Sequence, residues 1–280
     1  MNERTIFSRP HSGSAASVWQ ARALLTRRIT IDQATLLLVK SGQKVLCWQD
    51  NEICLNAGDM VVIGSGNTFD VTNIPGEPAG RFEASWISFC NELLQNAGAR
   101  PLQPVLQTAA HRVAAAAPAF CQAFQHAFDA LSDSESIPQA VAVKRMEEML
   151  SWLDAYQIFF PQPRSQGMTG RIRQQVTGNI AWPWSAADTA KAMAVSEATL
   201  RRHLKAEGTS FSRLVSDIRM EYALTLLQVT DRPVTRISLE VGYENPSKFS
   251  ARFRQRFGFS PGQVRSENFS LSIPSLPTPV

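Results

Sequence analysis

Residues 185–208 read SAADTAKAMAVSEATLRRHLKAEG and residues 234–258 read VTRISLEVGYENPSKFSARFRQRFG, and each stretch spells a helix, a tight turn and a second helix. In the first, Ser185-Ala186-Ala187-Asp188 resembles a capping box with aspartate in the fourth place, opening a helix that runs through Met193. Ser196 caps a second helix over 197–207, closed by Gly208, with only Ala194 and Val195 between the two. In the second stretch a helix over about 234–241 stops at Gly242, where a left-handed cap favours glycine. Asn245-Pro246 then restarts the chain with a cap residue followed by proline at the first helical position, and this helix ends at Gly258. An offset of 49 residues superposes Ser196 on Asn245 and places Leu200 and Leu204 on Phe249 and Phe253. The same face is apolar in both copies, so the units at about 185–207 and 234–258 form an internal repeat of helix-turn-helix.

Between the repeats, from Phe211, the apolar residues Leu214, Val215, Ile218, Tyr222 and Leu226 recur every three or four positions and predict one helix of nearly twenty residues. At 1.5 Å per residue such a strut is about 28 Å long, close to the roughly 34 Å between successive major-groove faces on one side of DNA. In a helix-turn-helix the first helix braces the second, whose free face lies in the groove, so the second needs an apolar stripe on one side and donors on the other. In the first unit Leu200 and Leu204 turn inward, which gathers Ala198, Arg201, Arg202 and Lys205 on the far side. In the second, Phe249, Phe253 and Phe257 turn inward; Ser247, Lys248, Ala251 and Gln255 emerge, flanked by Arg252 and Arg254. Arginine grips guanine bidentately, and Lys205, Arg252 and Arg254 are the expected phosphate contacts. The alternative is that both faces are the solvated surface of a helical bundle.

Charge follows the same division. Residues 1–163 carry 12 Lys+Arg against 15 Asp+Glu, a net −3, whereas residues 164–280 carry 16 against 9, a net +7. A basic module next to an acidic one is the electrostatic footprint of phosphate neutralisation, a solvated basic surface being the alternative. At 280 residues, 44% hydrophobic and 19% charged, the chain has room for two cores, and disordered, fibrous and membrane classes fall away. Its apolar runs, such as 36–39 and 60–63, are far shorter than the roughly 20 residues that span a bilayer. Residues 1–17 are polar and lack the apolar core of a signal peptide, so a cytoplasmic location is expected. Cys47, Cys54, Cys90 and Cys121 form no CxxC pair and read as buried reduced thiols.

From residue 30 to residue 89 short apolar stretches are broken by turn signals at 41–42, 49–51, 57–59, 64–67 and 75–76, which predicts closely spaced strands of an antiparallel barrel or sandwich. After Pro104 the period changes. Ala- and Phe-rich sequence to Leu131, then Val141, Met146, Met149, Leu150 and Leu153, predict two amphipathic helices separated by a polar break at 132–138. The stripe from Met146 to Leu153 reads as core within its own domain or, in part, as a dimer seam, and His126 reads as a helix-surface residue. Residues 161–167 have linker composition and set the boundary between domains 1–163 and 164–270. Ser260-Pro261 opens a last short helix, and 271–280 form a proline-containing tail.

The region from about 168 to 268 resembles the DNA-binding domain of the AraC/XylS family of transcription regulators. The resemblance rests on Arg219-Met220-Glu221-Tyr222-Ala223 in the strut, on ISLEVGY at 237–243, on the Phe249-x3-Phe253-x3-Phe257-Gly258 run and on Ser260-Pro261. It implies base-contacting roles for Ala198, Arg201 and Arg202 in the first unit and for Pro246, Ser247, Lys248 and Ala251 in the second. The chain departs from the family at Ser238, where alanine is usual, at Lys248, where an aromatic is common, and at Ala251, where arginine is frequent. Residues 55–63, LNAGDMVVI, look like the turn and strand of the cupin-like barrel common in this family, which often holds a small effector. A plain structural barrel is the alternative there.

The expected fold is therefore α+β: an N-terminal cupin-like β-barrel with two helices, regulatory and dimerising, and a C-terminal all-α domain whose two helix-turn-helix units are joined by a long helix. The expected function is sequence-specific regulation of transcription, more often activation in this family. Double-stranded DNA and RNA polymerase are the expected partners, with a homodimer through the N-terminal domain, a small-molecule or protein effector, and no cofactor. Two rivals are a nonspecific architectural DNA binder and a protein-binding module whose basic faces meet an acidic partner. A metal-dependent cupin enzyme is a third, and it needs clustered histidines with a carboxylate on adjacent strands. His11, His111, His126 and His203 all fall outside the expected strands, and the chain has no Gly-rich phosphate loop, nucleophile elbow or paired-carboxylate site, so no enzymatic activity is expected.

Overall fold

The computed structural model describes residues 5–77, 80–96, 109–160 and 167–265; the linker expected at 161–167, but for its last residue, the boundary at 163/164 and the tail at 271–280 lie outside them. Among the described residues ten strands come first: β1 (Phe7–Arg9), β2 (Gly13–Gln20), β3 (Leu24–Ile31), β4 (Thr35–Ser41), β5 (Gln43–Trp48), β6 (Asn51–Asn56), β7 (Met60–Ile63), β8 (Asn67–Ile74), β9 (Phe82–Phe89) and β10 (Ala110–Val113). They form two antiparallel sheets, β1-β2-β9-β4-β7-β10 and β3-β8-β5-β6. With them fold α1 (Asn91–Asn96), α2 (Pro118–Ser132) and α3 (Gln139–Ala155). Side chains alternate across a strand, so Val61 and Ile63 of β7 enter the core between the sheets while Met60 and Val62 face the core under α2 and α3. Both faces of β7 are covered, which is why its four residues are all apolar and all buried. Ahead of β7 the expected turn passes through Gly58 at φ +90°, and Asp59 accepts from the Asn56 and Ala115 amides at 2.8 and 2.9 Å.

Strands reach beyond both ends of the expected 30–89 segment. β2 reads GSAASVWQ, small and polar but for two residues, and its burial comes from pairing with β1 and β9 rather than from its own hydrophobicity. β10 pairs with β7 and carries His111 opposite Val62, which corrects the expectation that every histidine lies outside the strands. Among the described residues no three His, Cys, Asp or Glu side chains gather as metal ligands. Met146, Met149, Leu150 and Leu153 sit in the core against Phe120, Phe124 and Ile87, so the seam reading of that stripe gives way to the core reading. His126 is exposed, as expected. The four cysteines are free but half-buried rather than buried, and burial, with Glu52 beside it, pushes the Cys47 thiol up to about 11.

The helical part comprises α4 (Met168–Gly178), α5 (Ala186–Ala192), α6 (Glu197–Ala206), α7 (Phe211–Val229), α8 (Val234–Glu240), α9 (Pro246–Phe257) and α10 (Pro261–Arg265). Among the described residues no helix is long and apolar enough to cross a membrane. The strut α7 serves two cores in turn. Phe211, Leu214, Val215 and Ile218 pack with Ile172, Leu200 and Leu204, whereas Met220, Ala223, Leu224 and Leu227 pack with Ile237, Phe249 and Phe253.

The barrel docks onto α7 and α9. Leu24 joins the second helical core, and Val229 of α7 joins the core between the sheets. Charge reinforces this seam. Arg173 of α4 forks onto Asp32 at 2.6 and 3.1 Å and reaches Glu221 of α7 at 2.6 Å. Arg256 of α9 bonds the other oxygen of Glu221 at 3.0 Å and donates to the carbonyls of Arg27 and Arg28 at 2.8 Å. Those carbonyls are presented by a bulge in β3, where Arg28 takes φ +57° and turns its amide to Asp70. Burial works against the Arg173 charge, but bonds and field from Asp32 and Glu221 outweigh it and raise its pKa. Burial also raises the Glu221 carboxyl, which Arg173 and Arg256 pull back only in part; with a guanidinium on each oxygen, the carboxylate is the form that fits.

A second buried cation lies inside the barrel part. Lys44 of β5 donates to Asn73 Oδ1 at 2.8 Å and sits 5.5 Å from the Phe82 ring centroid. Asn73 donates to Gln20, which also accepts from Gln228 of α7 at 3.0 Å. Burial pulls the Lys44 ammonium down to about 8. In the unfolded chain the lysine titrates near its ordinary value, so between about pH 8 and pH 10.4 the unfolded state holds the extra proton and stability rises with pH. Below that window the buried charge costs about 3 kcal/mol. Lys44→Met removes this cost and loses about 1 kcal/mol of hydrogen bonding. Urea unfolding at pH 7 should find the variant more stable by about 2 kcal/mol, with the advantage gone above pH 10; a variant less stable at pH 7 would contradict this.

Candidate nucleic-acid interface

Both repeated units are held by the caps expected of them. Ser185 Oγ accepts from the Asp188 amide at 3.0 Å and donates to its carboxylate at 2.6 Å, and Ser196 Oγ accepts from the Thr199 amide at 3.1 Å. The first turn passes through Ala194 at φ +55° and the second through Gly242 at φ +79°. Asn245 Oδ1 accepts from the amides of Ser247 and Lys248, and Gly258 closes α9 at φ +85°. Left-handed backbone of this kind disfavours residues with a Cβ; in the second unit glycine takes it at the turn and at the cap of α9, whereas the first unit's turn carries it on Ala194.

These ends fix which side of each helix faces out. Leu200 and Leu204 of α6 are wholly buried, leaving Ala198, Arg201, Arg202 and Lys205 exposed together. Arg201 lies 2.5 Å from Glu197 one turn back but keeps 71% of its side chain exposed. Among the described residues nothing bonds the head groups of Arg202 or Lys205. On α9, Phe249, Phe253 and Phe257 pack as tilted rings with centroids 5.8 and 4.8 Å apart, and Pro246, Ser247, Lys248, Ala251, Arg254 and Gln255 are exposed. Arg252 is half-buried: its Nε donates to Ser216 of α7 at 2.7 Å and its Nη1 to Gln255 at 2.8 Å. The outward faces of α6 and α9 hold cations and carry no carboxylate apart from Glu197.

Two features escaped the sequence reading because they join separate segments. A cleft of about 480 Å³ opens beside α6, lined by Trp184, Ser185, Arg201, Lys205, Thr209 and Ser210 among others. Two cations and several hydroxyls converge there from three stretches of chain, a lining suited to a phosphodiester edge. Arg256, one turn beyond Arg252, points away from the exposed face and into the seam with the barrel.

Comparison with known proteins agrees with this geometry. A helix-turn-helix domain model matches residues 189–267, and the AraC-like ligand binding domain matches residues 11–153, just over half of the chain. The regulator YdeO of Escherichia coli K12 is 36% identical over 100 residues, covering 36% of this chain and 39% of YdeO. The urease operon transcriptional activator of Escherichia coli is 30% identical over 132 residues, covering 47% of this chain and 43% of the activator. The chain thus spans only about two fifths of these curated relatives. Over nearly the whole chain the fold is that of ToxT from Vibrio cholerae. An apo form superposes with a TM-score of 0.66 at 12% identity, covering 91% of this chain and 97% of ToxT. A fatty-acid-bound form gives 0.60 at 13% identity, with 93% and 95% coverage. With one model on the sheet-bearing part, the other on the repeated units, and an α+β fold that unites them, the protein belongs to the AraC family of transcription regulators.

Proposed function

We propose that the protein is a sequence-specific DNA-binding transcription regulator that lays α6 and α9 in adjacent major grooves of one duplex. The observation that carries this reading is the repeated design of the two helices, each burying an apolar stripe and leaving donors on the opposite face. Arg202 and Arg201, the latter on release from Glu197, grip guanine edges, and the Ala198 methyl meets a thymine methyl. In the second unit Pro246, Ser247, Lys248 and Ala251 face the bases. Lys205, Arg254 and the donors of Arg252 not spent on Ser216 and Gln255 neutralise phosphates. Residues 164–270 form the DNA-binding domain and residues 1–163 the controlling one. The urease operon activator among the relatives favours activation, with RNA polymerase as the further partner.

A second reading concerns the controlling domain. ToxT structures hold an unsaturated fatty acid or an aryl-substituted butenoic acid, both carboxylates. In this chain Lys44 is a buried cation whose described partners are a neutral amide and an aromatic ring, and a carboxylate would relieve its desolvation. Through Asn73 and Gln20 the same lysine is linked to Gln228, so uptake of an anion there would be felt at α7. We infer that the barrel takes a small carboxylate effector at Lys44.

Arg202→Ala should weaken binding to a site selected from genomic DNA by about 1–3 kcal/mol and leave binding to random DNA nearly unchanged, as read by fluorescence anisotropy. Equal losses on both would refute base reading by Arg202. Absence of DNA binding even at low salt would sink the whole reading and favour an acidic protein partner. For the effector, a panel of fatty acids should raise the melting temperature of the wild type but not of Lys44→Met; equal shifts in both would refute a site at Lys44.

A further inference from the structure

Arg219 occupies the point on α7 where one core ends and the next begins, between Ile218 of the first and Met220 of the second. Its guanidinium opens onto three backbone carbonyls. Nε donates to Ile180 O at 3.1 Å, Nη2 to Trp182 O at 2.7 Å and Nη1 to Gly242 O at 3.4 Å. Residues 180–182 lead into α5 and the first unit, while Gly242 is the turn of the second unit. One side chain of the strut therefore holds the entrance of one unit and the elbow of the other.

The fit around this group is close. A Cβ on Gly242 would stand 2.8 Å from Arg219 Nη2 and 3.0 Å from Ala181 O, so the turn of the second unit packs closely against the segment that leads into the first. Tyr243 follows the turn with its ring centroid 5.9 Å from the Arg219 guanidinium carbon. Its hydroxyl lies 3.4 Å from Ser216, which in turn accepts from Arg252 of α9. Burial lowers the Arg219 pKa, and among the described residues no carboxylate pairs with it. The cation is spent on shape rather than on charge balance. The planar fork spreads its donors over three nitrogens and so reaches carbonyls that lie apart, whereas the three donors of lysine radiate from one nitrogen.

We propose that Arg219 is a positioning residue that fixes the separation of α6 and α9, so that the protein accepts only one spacing between its two half-sites. The inference rests on the two-groove reading above. A duplex held by two rigidly linked modules gains affinity only when both can engage together, and a looser link spreads that gain over more spacings.

The test is binding to DNA carrying both half-sites at the native spacing or with 2 to 5 extra base pairs, and to each half-site alone. The wild type should prefer the native spacing by tenfold or more. Arg219→Met should bind each half-site within about threefold of wild type, lose most of the tenfold preference and bind the altered spacings nearly as well as the native one; Arg219→Lys should fall between. Retention of the full preference in Arg219→Met would overturn the proposal. Equal loss on half-sites and paired sites, in Lys as in Met, would also overturn it, because Arg219 would then serve only to fold the domain. A wild type with no spacing preference would instead refute the two-groove reading itself.

Discussion

Glu221 lies near the middle of α7, buried, with a guanidinium on each carboxylate oxygen. Arg173 comes from the helix beneath the first unit and Arg256 from the recognition helix of the second, and each continues to the barrel, one to Asp32 and the other to the bulged carbonyls of β3. Such a network adds little net stability, because taking the charges out of water offsets most of their attraction. Its effect is on register. Withdrawing one partner would leave a buried charge met on one side only, at a cost below the about 3–5 kcal/mol of leaving it wholly unpaired, so the barrel, the strut and both units have few relative placements in which every charge is fully met.

The same strut also keeps the outer faces of α6 and α9 free of carboxylates other than Glu197. Acidic groups of α7 and of the β3–β4 connection, Asp217, Glu221 and Asp32, are turned toward the seam, where Arg173 and Arg256 meet them. Arg202, Lys205, Lys248 and Arg254 are left on the outer faces of α6 and α9. The net +7 of the C-terminal part is thus not spread evenly; its internal cations are consumed by structure, and those that remain project from the outer faces of α6 and α9, the faces proposed to meet DNA.

The helical part was legible because its signals are local. Ser196, Asn245, Gly242 and Gly258 are caps whose chemistry acts within four residues, and the Phe249, Phe253, Phe257 stripe is a period read from one segment. The exposure of Ala198, Arg201 and Arg202 follows in the same way from the spacing of Leu200 and Leu204 on α6. The sheets were less legible. β2 is buried by its neighbours, and β10 lies far in sequence from the strand it pairs with. The domain seam was invisible for the same reason: Arg256 stands 35 residues from Glu221 and more than 200 from Arg27, and no local pattern marks it as different from Arg252 or Arg254. Arg219 was noticed only as part of a family pattern; its work at two distant turns emerges from the fold.

The proposed mode of binding has one chain lay α6 and α9 against one face of a duplex. Hydroxyl-radical footprinting of the purified protein on a selected genomic site, read on both strands, tests it most directly. Two protected tracts on the same face, about 10 base pairs apart, are expected for a single bound chain. A single tract, or two tracts on opposite faces of the helix, would contradict it.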